Sequence, residues 1–192
     1  MSQVAEQMSE GKLKILKATA DLLEEPGQRL TVNRIARQVS VTDAAIYRHY
    51  RSKEDIFSAL MSYMEANFLT PLGHAQQKDV FTRAEVEAIC RQHMDFLTGH
   101  PGLARMLLGQ ANTEASGVSD KVKLLNAKIR SQFAQLLKWG QMKKYFVLKL
   151  RPELAADFIY GQLLAVAMSC VFDLPAIDDD MRLDMIMQTV FE

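Results

Sequence analysis

The chain of 192 residues is poor in cysteine and tryptophan and carries no net charge, with 23 basic against 23 acidic side chains. Cys90 and Cys170 stand far apart and belong to no C-x-x-C pair. Neither a disulfide scaffold nor a structural zinc site is therefore expected, and a reducing compartment is. The first residues, MSQVAEQMSEGK, hold no basic segment followed by an apolar run, so no signal peptide is expected there. The longest apolar run, FIYGQLLAVAMSCVF between Asp157 and Asp173, falls short of the ~20 residues that a membrane span needs. No segment alternates well enough for a strand, and repeats, low-complexity tracts and glycine-rich phosphate loops are lacking. His49, His74, His93 and His100 show no nucleophile spacing. Cys90 and His93, three apart on one helix face, are half a metal site without a second half, and a core pair is the expectation. No enzyme, metal or cofactor is expected.

What is there is a series of amphipathic stretches, one of which concentrates positive charge. Arg29, Arg34, Arg37, Arg48, Arg51 and Lys53 stand against Asp43 alone in RLTVNRIARQVSVTDAAIYRHYRSK. The stretch reads as two short helices and the start of a third. Thr31 is placed to cap the first, since a threonine hydroxyl accepts an orphan N–H at a helix start. Val32, Ile35, Ala36 and Val39 then recur at helical spacing. Ser40-Val41 is the turn. Thr42 or Asp43 caps a second helix, with Ala45 and Ile46 inward and Tyr47, Arg48, His49 and Tyr50 at its end. Ser52 caps a third, with Glu54 and Asp55 in its first turn, where the macrodipole favours acids. A compact basic helix pair suits a polyanion, because Lys and Arg release counterions from phosphates and hold a helix in register over a groove. A polar helical hairpin packed on another element fits the same spacing.

Elsewhere the period is helical throughout, so the fold class is all-α, with about nine helices. The first helix is expected over Lys12 to Glu25, stopped by Pro26-Gly27. Another runs from Ser52 to Pro71-Leu72-Gly73, where the proline ends it; a hinge and an ordinary helix end fit this break equally well. A helix from Thr82 carries Val86, Ile89, His93 and Leu97 on one face, and a short one follows over Leu103 to Leu108. After a polar loop, Asn112 to Ser119, a long helix spans Asp120 to Trp139, ended by Gly140. The apolar run 158–172 must be covered on every side, and Met181 to Phe191 adds an amphipathic helix behind an acidic cap, Asp178 to Asp180.

TVNRIARQVSVTDAAIYRHYRSKEDIFSAL resembles the helix-turn-helix signature of TetR-type transcriptional regulators. The resemblance implies a three-helix DNA-binding head, residues 1–52, on a helical regulatory and dimerisation body, residues 53–192. It implies double-stranded DNA as partner, a homodimer on a palindromic operator, repression relieved by a small-molecule effector, and a cytoplasmic, nucleoid-associated protein with no membrane role. Arg48, Ala44 and Asp43 then fall where the family reads bases. Arg48 suits guanine O6 and N7, Ala44 a thymine methyl, and Asp43 caps its own helix or accepts from cytosine N4, with capping favoured. Thr31, Asn33, Tyr47, His49 and Lys53 match phosphate-holding positions. Ser40 replaces the frequent turn glycine, so a left-handed backbone there is expected to cost roughly 1 kcal/mol. An arginine-rich arm ahead of the first helix is lacking. The last two helices match the paired dimer helices, with Phe158, Gly161, Leu164, Ala165, Met168, Ser169, Met185 and Val190 as interface candidates. Met94, Phe96, Met106, Phe133, Trp139 and Phe158 are candidates for an effector pocket, although methionines and aromatics at this spacing also make plain core.

GHPGLARMLLGQ, DAAIYRHYRSK and the overall length are also similar to the nucleoid-occlusion branch of the family. That branch implies an alternative function, DNA-bound antagonism of cell division with FtsZ as a protein partner.

Overall fold

The computed structural model describes residues 8–25, 29–110, 118–175 and 177–192. Within them are nine α-helices and no strand. They are α1 Glu10–Leu22, α2 Val32–Gln38, α3 Asp43–His49, α4 Lys53–Ala75, α5 Arg83–Thr98, α6 Pro101–Leu107, α7 Val118–Met142, α8 Pro152–Phe172 and α9 Asp179–Val190. A single antiparallel bridge joins Leu148 to Phe191. The all-α expectation holds, and the reason is the unbroken helical period of buried residues. The expected stop at Pro26-Gly27 and the loop residues 112–117 lie outside the described residues.

Hydroxyls start the helices at the head. Ser9, Thr31, Thr42 and Ser52 cap α1, α2, α3 and α4, their oxygens accepting from the N–H groups of Lys12, Arg34, Ala45 and Asp55 at 3.4, 3.3, 3.3 and 3.1 Å. Each satisfies one of the N–H groups that a helix start leaves unpaired. Thr42 takes the capping role, so Asp43 is the first residue inside α3 and not its cap. Ile35, Ala36, Val39 and Ile46 are buried, and this small core fixes α2 against α3. Ser40 sits in the left-handed region at φ 58°, as the missing turn glycine requires. Ser40→Gly is therefore expected to raise thermal stability by about 1 kcal/mol, read as the shift in chemical denaturation midpoint.

Three helix ends differ from the sequence expectation. α4 continues through Pro71 to Ala75. Leu72 and Ala75 are buried on the same face as Met64 and Phe68, and keeping them in helical register offsets the N–H that the proline lacks. The helix break expected at this point is absent. α7 starts at Val118, itself buried, and passes through Gly140 to Met142. Gly140 is a seat rather than a stop: an added Cβ would lie 2.2 Å from Cζ of Phe146, whose ring folds back onto the helix. α8 begins at Pro152 and reaches 21 residues, so by length and composition it is apolar enough to cross a bilayer, and the expectation that it is too short does not hold. One side of it packs on α5, α6, α7 and α9, while Gly161, Met168 and Phe172 on the other are uncovered within the chain, so the cover expected on every side is only partly supplied.

The body core centres on α4, α5, α7 and α8. Phe68, Phe133, Ile129, Leu163 and Met94 are completely buried there. Tyr160 of α8 donates its hydroxyl to the Asn126 side-chain oxygen, and the Asn126 amide donates to the carbonyls of Val122 and Leu107 at 2.8 and 3.2 Å. This polar triad ties α8, α7 and the end of α6 together. Burial pushes the Tyr160 phenol well above its usual range.

Candidate nucleic-acid interface

The head presents α3. Its inward side chain is Ile46, fully buried, which leaves Ala44, Tyr47, Arg48 and His49 outside. Tyr47 is 52 % exposed, an unusual position for a tyrosine that has nothing to contact. Arg48 and Lys53 are without a partner among the described residues, so both charges are available to an anion. Arg34 is not. It reaches Glu25 at 2.7 Å and the carbonyl of Arg29 at 3.1 Å, and so supports the entry to α2. The positive charge counted along the sequence is therefore partly internal.

The remaining phosphate candidates divide. Thr31 is engaged as the α2 cap. Asn33 donates its amide to Asp43 Oδ1 at 3.4 Å, a bond that joins the starts of α2 and α3 and occupies both residues. The His49 ring lies over Gly11 of α1, where an added Cβ would come within 2.6 Å of it. That glycine, unremarked in the sequence, is what lets the ring settle on the helix. Tyr50 is buried beside it; its hydroxyl donates to the Lys12 carbonyl at 3.3 Å, and burial pushes its phenol up to about 12. The ammonium of Lys12 sits 5.8 Å from the same ring. Thus α1 holds α3 by its last turn and leaves the outer face clear. A helix presented in this way, with one bidentate-capable arginine and flanking hydroxyl, imidazole and ammonium groups, has the chemistry of a major-groove reader.

The body candidates are placed as follows. Met94, Met106 and Phe133 have no exposed surface, Phe96 is 8 % exposed, and Trp139 and Phe158 are partly buried. Phe96 and Phe133 share a cluster with Phe68 and His93. Trp139 lies elsewhere, against Phe81 and Tyr145 at ring separations of 5.8 and 5.4 Å. Two clefts, of about 390 and 240 Å³, are lined by other residues. Cys90 and His93 are both entirely buried, the core pair that was expected. Burial, with Glu87 nearby, pushes the Cys90 thiol up to about 12. Among the dimer candidates, Gly161 faces open space with nothing within 4 Å of where its Cβ would stand, and Met168 and Met185 are exposed. Phe172, Leu174 and Met181, not named from sequence, are further exposed apolar side chains at the end of α8 and the start of α9. Val190 does not belong with them. It points into its own chain's core with no exposed surface.

Residues 15–60 match the bacterial regulatory proteins, tetR family. The nucleoid occlusion factor SlmA of Shewanella denitrificans is 31 % identical over 155 residues, which span 80 % of this chain and 77 % of that protein. In fold, the chain is similar to the fatty acid degradation regulator FadR of Bacillus halodurans, with a TM-score of 0.74 at 21 % identity over 95 % of both chains. It is also similar to FadR of Bacillus subtilis, solved in complex with stearoyl-CoA, with a TM-score of 0.70 at 19 % identity over 92 % of this chain and 95 % of that one. The helical head and body are those of a DNA-binding transcriptional regulator. The chain belongs to the TetR family of bacterial regulatory proteins.

Removal of Arg48 should separate base reading from phosphate holding. Arg48→Ala is expected to weaken operator binding by about 1–3 kcal/mol and relax preference at one base step. Lys53→Ala should weaken all sequences alike and lower the salt slope by about one phosphate contact. Titrations of both variants on matched and scrambled duplexes at several salt concentrations check this, and equal behaviour of the two would overturn the division of roles.

Proposed function

We propose that this protein is a homodimeric repressor whose paired α3 helices read a palindromic operator, and that a small-molecule effector releases it. Residues 1–52 are the DNA-binding head and residues 53–192 the regulatory and dimerisation body. The observation that carries this reading is the outer side of α3, where Arg48 stands exposed and without a partner among the described residues, next to Tyr47, His49 and Lys53. The apolar face of α8 and α9, centred on Gly161, Leu164, Ala165 and Met168, supports pairing with a second copy, since half-sites about 34 Å apart need paired heads. A cytoplasmic, nucleoid-associated protein without enzymatic activity follows from the same reading.

One observation favours a second reading. The relatives matched over about four fifths of the chain include nucleoid occlusion factors. In that case the protein binds many chromosomal sites and acts on cell division, with FtsZ as its partner. Genome-wide selection of DNA by the purified protein separates the two. One palindrome beside its own gene or a neighbouring operon means a local repressor. Many sites spread over the chromosome mean nucleoid occlusion, and no enriched site overturns both.

A further inference from the structure

The cleft of about 390 Å³ lies between the end of α5 (Thr98), one side of α8 (Val166, Ser169, Cys170) and the first turn of α9 (Asp178, Asp179, Arg182). It has the size of a small-molecule site. Val166 and Cys170 are set roughly 100° or more round α8 from Ala165, while Ser169 continues the Gly161–Ala165 stripe, so a second copy seated on that stripe borders the cleft at Ser169 and leaves its Val166 and Cys170 side open.

Arg182 is 4 % exposed. Its only partner among the described residues is a neutral one: Nη1 donates to Gln162 Oε1 at 2.9 Å, and the shielded Nε has no acceptor. A buried guanidinium with a single uncharged partner is a strong attractor for a carboxylate. Beside Arg182, three and four residues earlier on the same turn of α9, stand two carboxylates. Asp179 has no partner among the described residues, and Asp178 spends one oxygen on the Met181 N–H at 3.1 Å. Thr98 Oγ1 donates to the Met94 and Asp95 carbonyls, and Ser169 Oγ to the Ala165 carbonyl, so both hydroxyls turn only lone pairs toward the cleft. Burial first, and then the charge of Asp179, raises the Cys170 thiol, which puts that carboxylate's field inside the cleft. Val166 and Ile177 supply the apolar part of the lining.

We infer that this cleft binds a small zwitterion of the α-amino-acid type, its carboxylate on Arg182, its ammonium between Asp178 and Asp179, and an apolar side chain along Val166 and Ile177. A plain anion would leave two carboxylates unanswered, and a plain amine would leave Arg182 so. Binding stands independently of the operator reading; only the further step, that this ligand is the effector, rests on it.

Calorimetric titration of the full chain with each proteinogenic L-amino acid, in the absence of DNA, tests the site. At least one apolar member should bind with submillimolar affinity, and its deaminated acid and decarboxylated amine should each bind at least about ten-fold more weakly. Asp179→Asn, which breaks no hydrogen bond or ion pair among the described residues, should weaken the amino acid about ten-fold, and Arg182→Gln at least as much. If Arg182→Gln does not fold, Asp179→Asn decides. Absence of binding by every amino acid, equal binding of the deaminated acid, or an unchanged affinity in Asp179→Asn would each overturn the inference. Operator binding measured separately keeps the two readings apart: loss of any operator with the amino-acid heat intact sinks the repressor, not the site.

Discussion

Gly102→Ala is expected to destabilise the protein by about 3 kcal/mol and to weaken DNA binding beyond what that loss of stability accounts for. Gly102 opens α6, and a Cβ built there would stand 2.0 Å from the Ala20 carbonyl oxygen and 3.1 Å from Leu23 Cβ. The first contact is backbone in the last turn of α1, which has no rotamer to yield, so α1 itself must move. α1 also carries Gly11 under the His49 ring and the Lys12 carbonyl that receives the Tyr50 hydroxyl. A shift of α1 is thereby passed to the last turn of α3. On a chain of this size the stability change corresponds to a fall in melting temperature of roughly 10 °C. Gly73→Ala is the control. Nothing lies within 4 Å of its added Cβ, and inside α4 the change should stabilise by up to about 1 kcal/mol. If Gly102→Ala melts and binds DNA as wild type does, α6 is not the seat of α1.

Acid should unfold the body through His93. The ring is completely buried, packed on Phe68 at 5.0 Å and Phe133 at 5.5 Å between centroids, and neither nitrogen has a hydrogen-bond partner. Burial lowers its pKa from 6.5 to about 4; the Phe68 carbonyl pulls the other way but makes no hydrogen bond with the ring. The unfolded chain therefore takes up a proton between pH 6.5 and about 4 that the folded chain refuses. Stability is greatest above pH 6.5, declines as pH falls through that window, and loses nothing more to this group below about pH 4. The full loss is on the order of 3 kcal/mol. Denaturation at pH 7 and pH 4.5 measures it, with His93→Met as comparison, since a methionine fills the same space without a titrating group. The variant should lose less stability over that interval than wild type. Parallel losses would place the acid sensitivity in other groups.

The head was largely legible from its sequence because its signals are local. A cap needs one hydroxyl and one N–H three residues on, so Thr31 and Ser52 are found within their own turns. The left-handed turn at Ser40 followed from a departure of one residue from the family pattern. Thr42 and Asp43 suit the cap of α3 equally in sequence; the Thr42 hydroxyl takes the Ala45 N–H, and Asp43 turns instead to the Asn33 amide, which comes from another helix. The extent of α4 was underestimated for a related reason. Proline's local penalty is visible in sequence, while the burial of Leu72 and Ala75 that overrides it comes from neighbouring helices.

The same contrast holds for glycine and arginine. Gly11, Gly102 and Gly140 look alike in sequence, and only their neighbours reveal a ring seat, a helix crossing and a second ring seat. Arg182 carried a faint signal, since it shares a helix face with the buried Ile186, where a charge is unexpected. The sequence by itself determined the helical class, the caps and turn of the DNA-reading unit, and the side chains that unit offers, because these depend on period and on contacts within a few residues. The tertiary structure alone decided which charges are available, which glycines are crossings, and that Arg182 is buried in a cleft shared with Thr98, Val166 and Cys170. Those depend on side chains far apart in the chain, whose proximity no local propensity encodes.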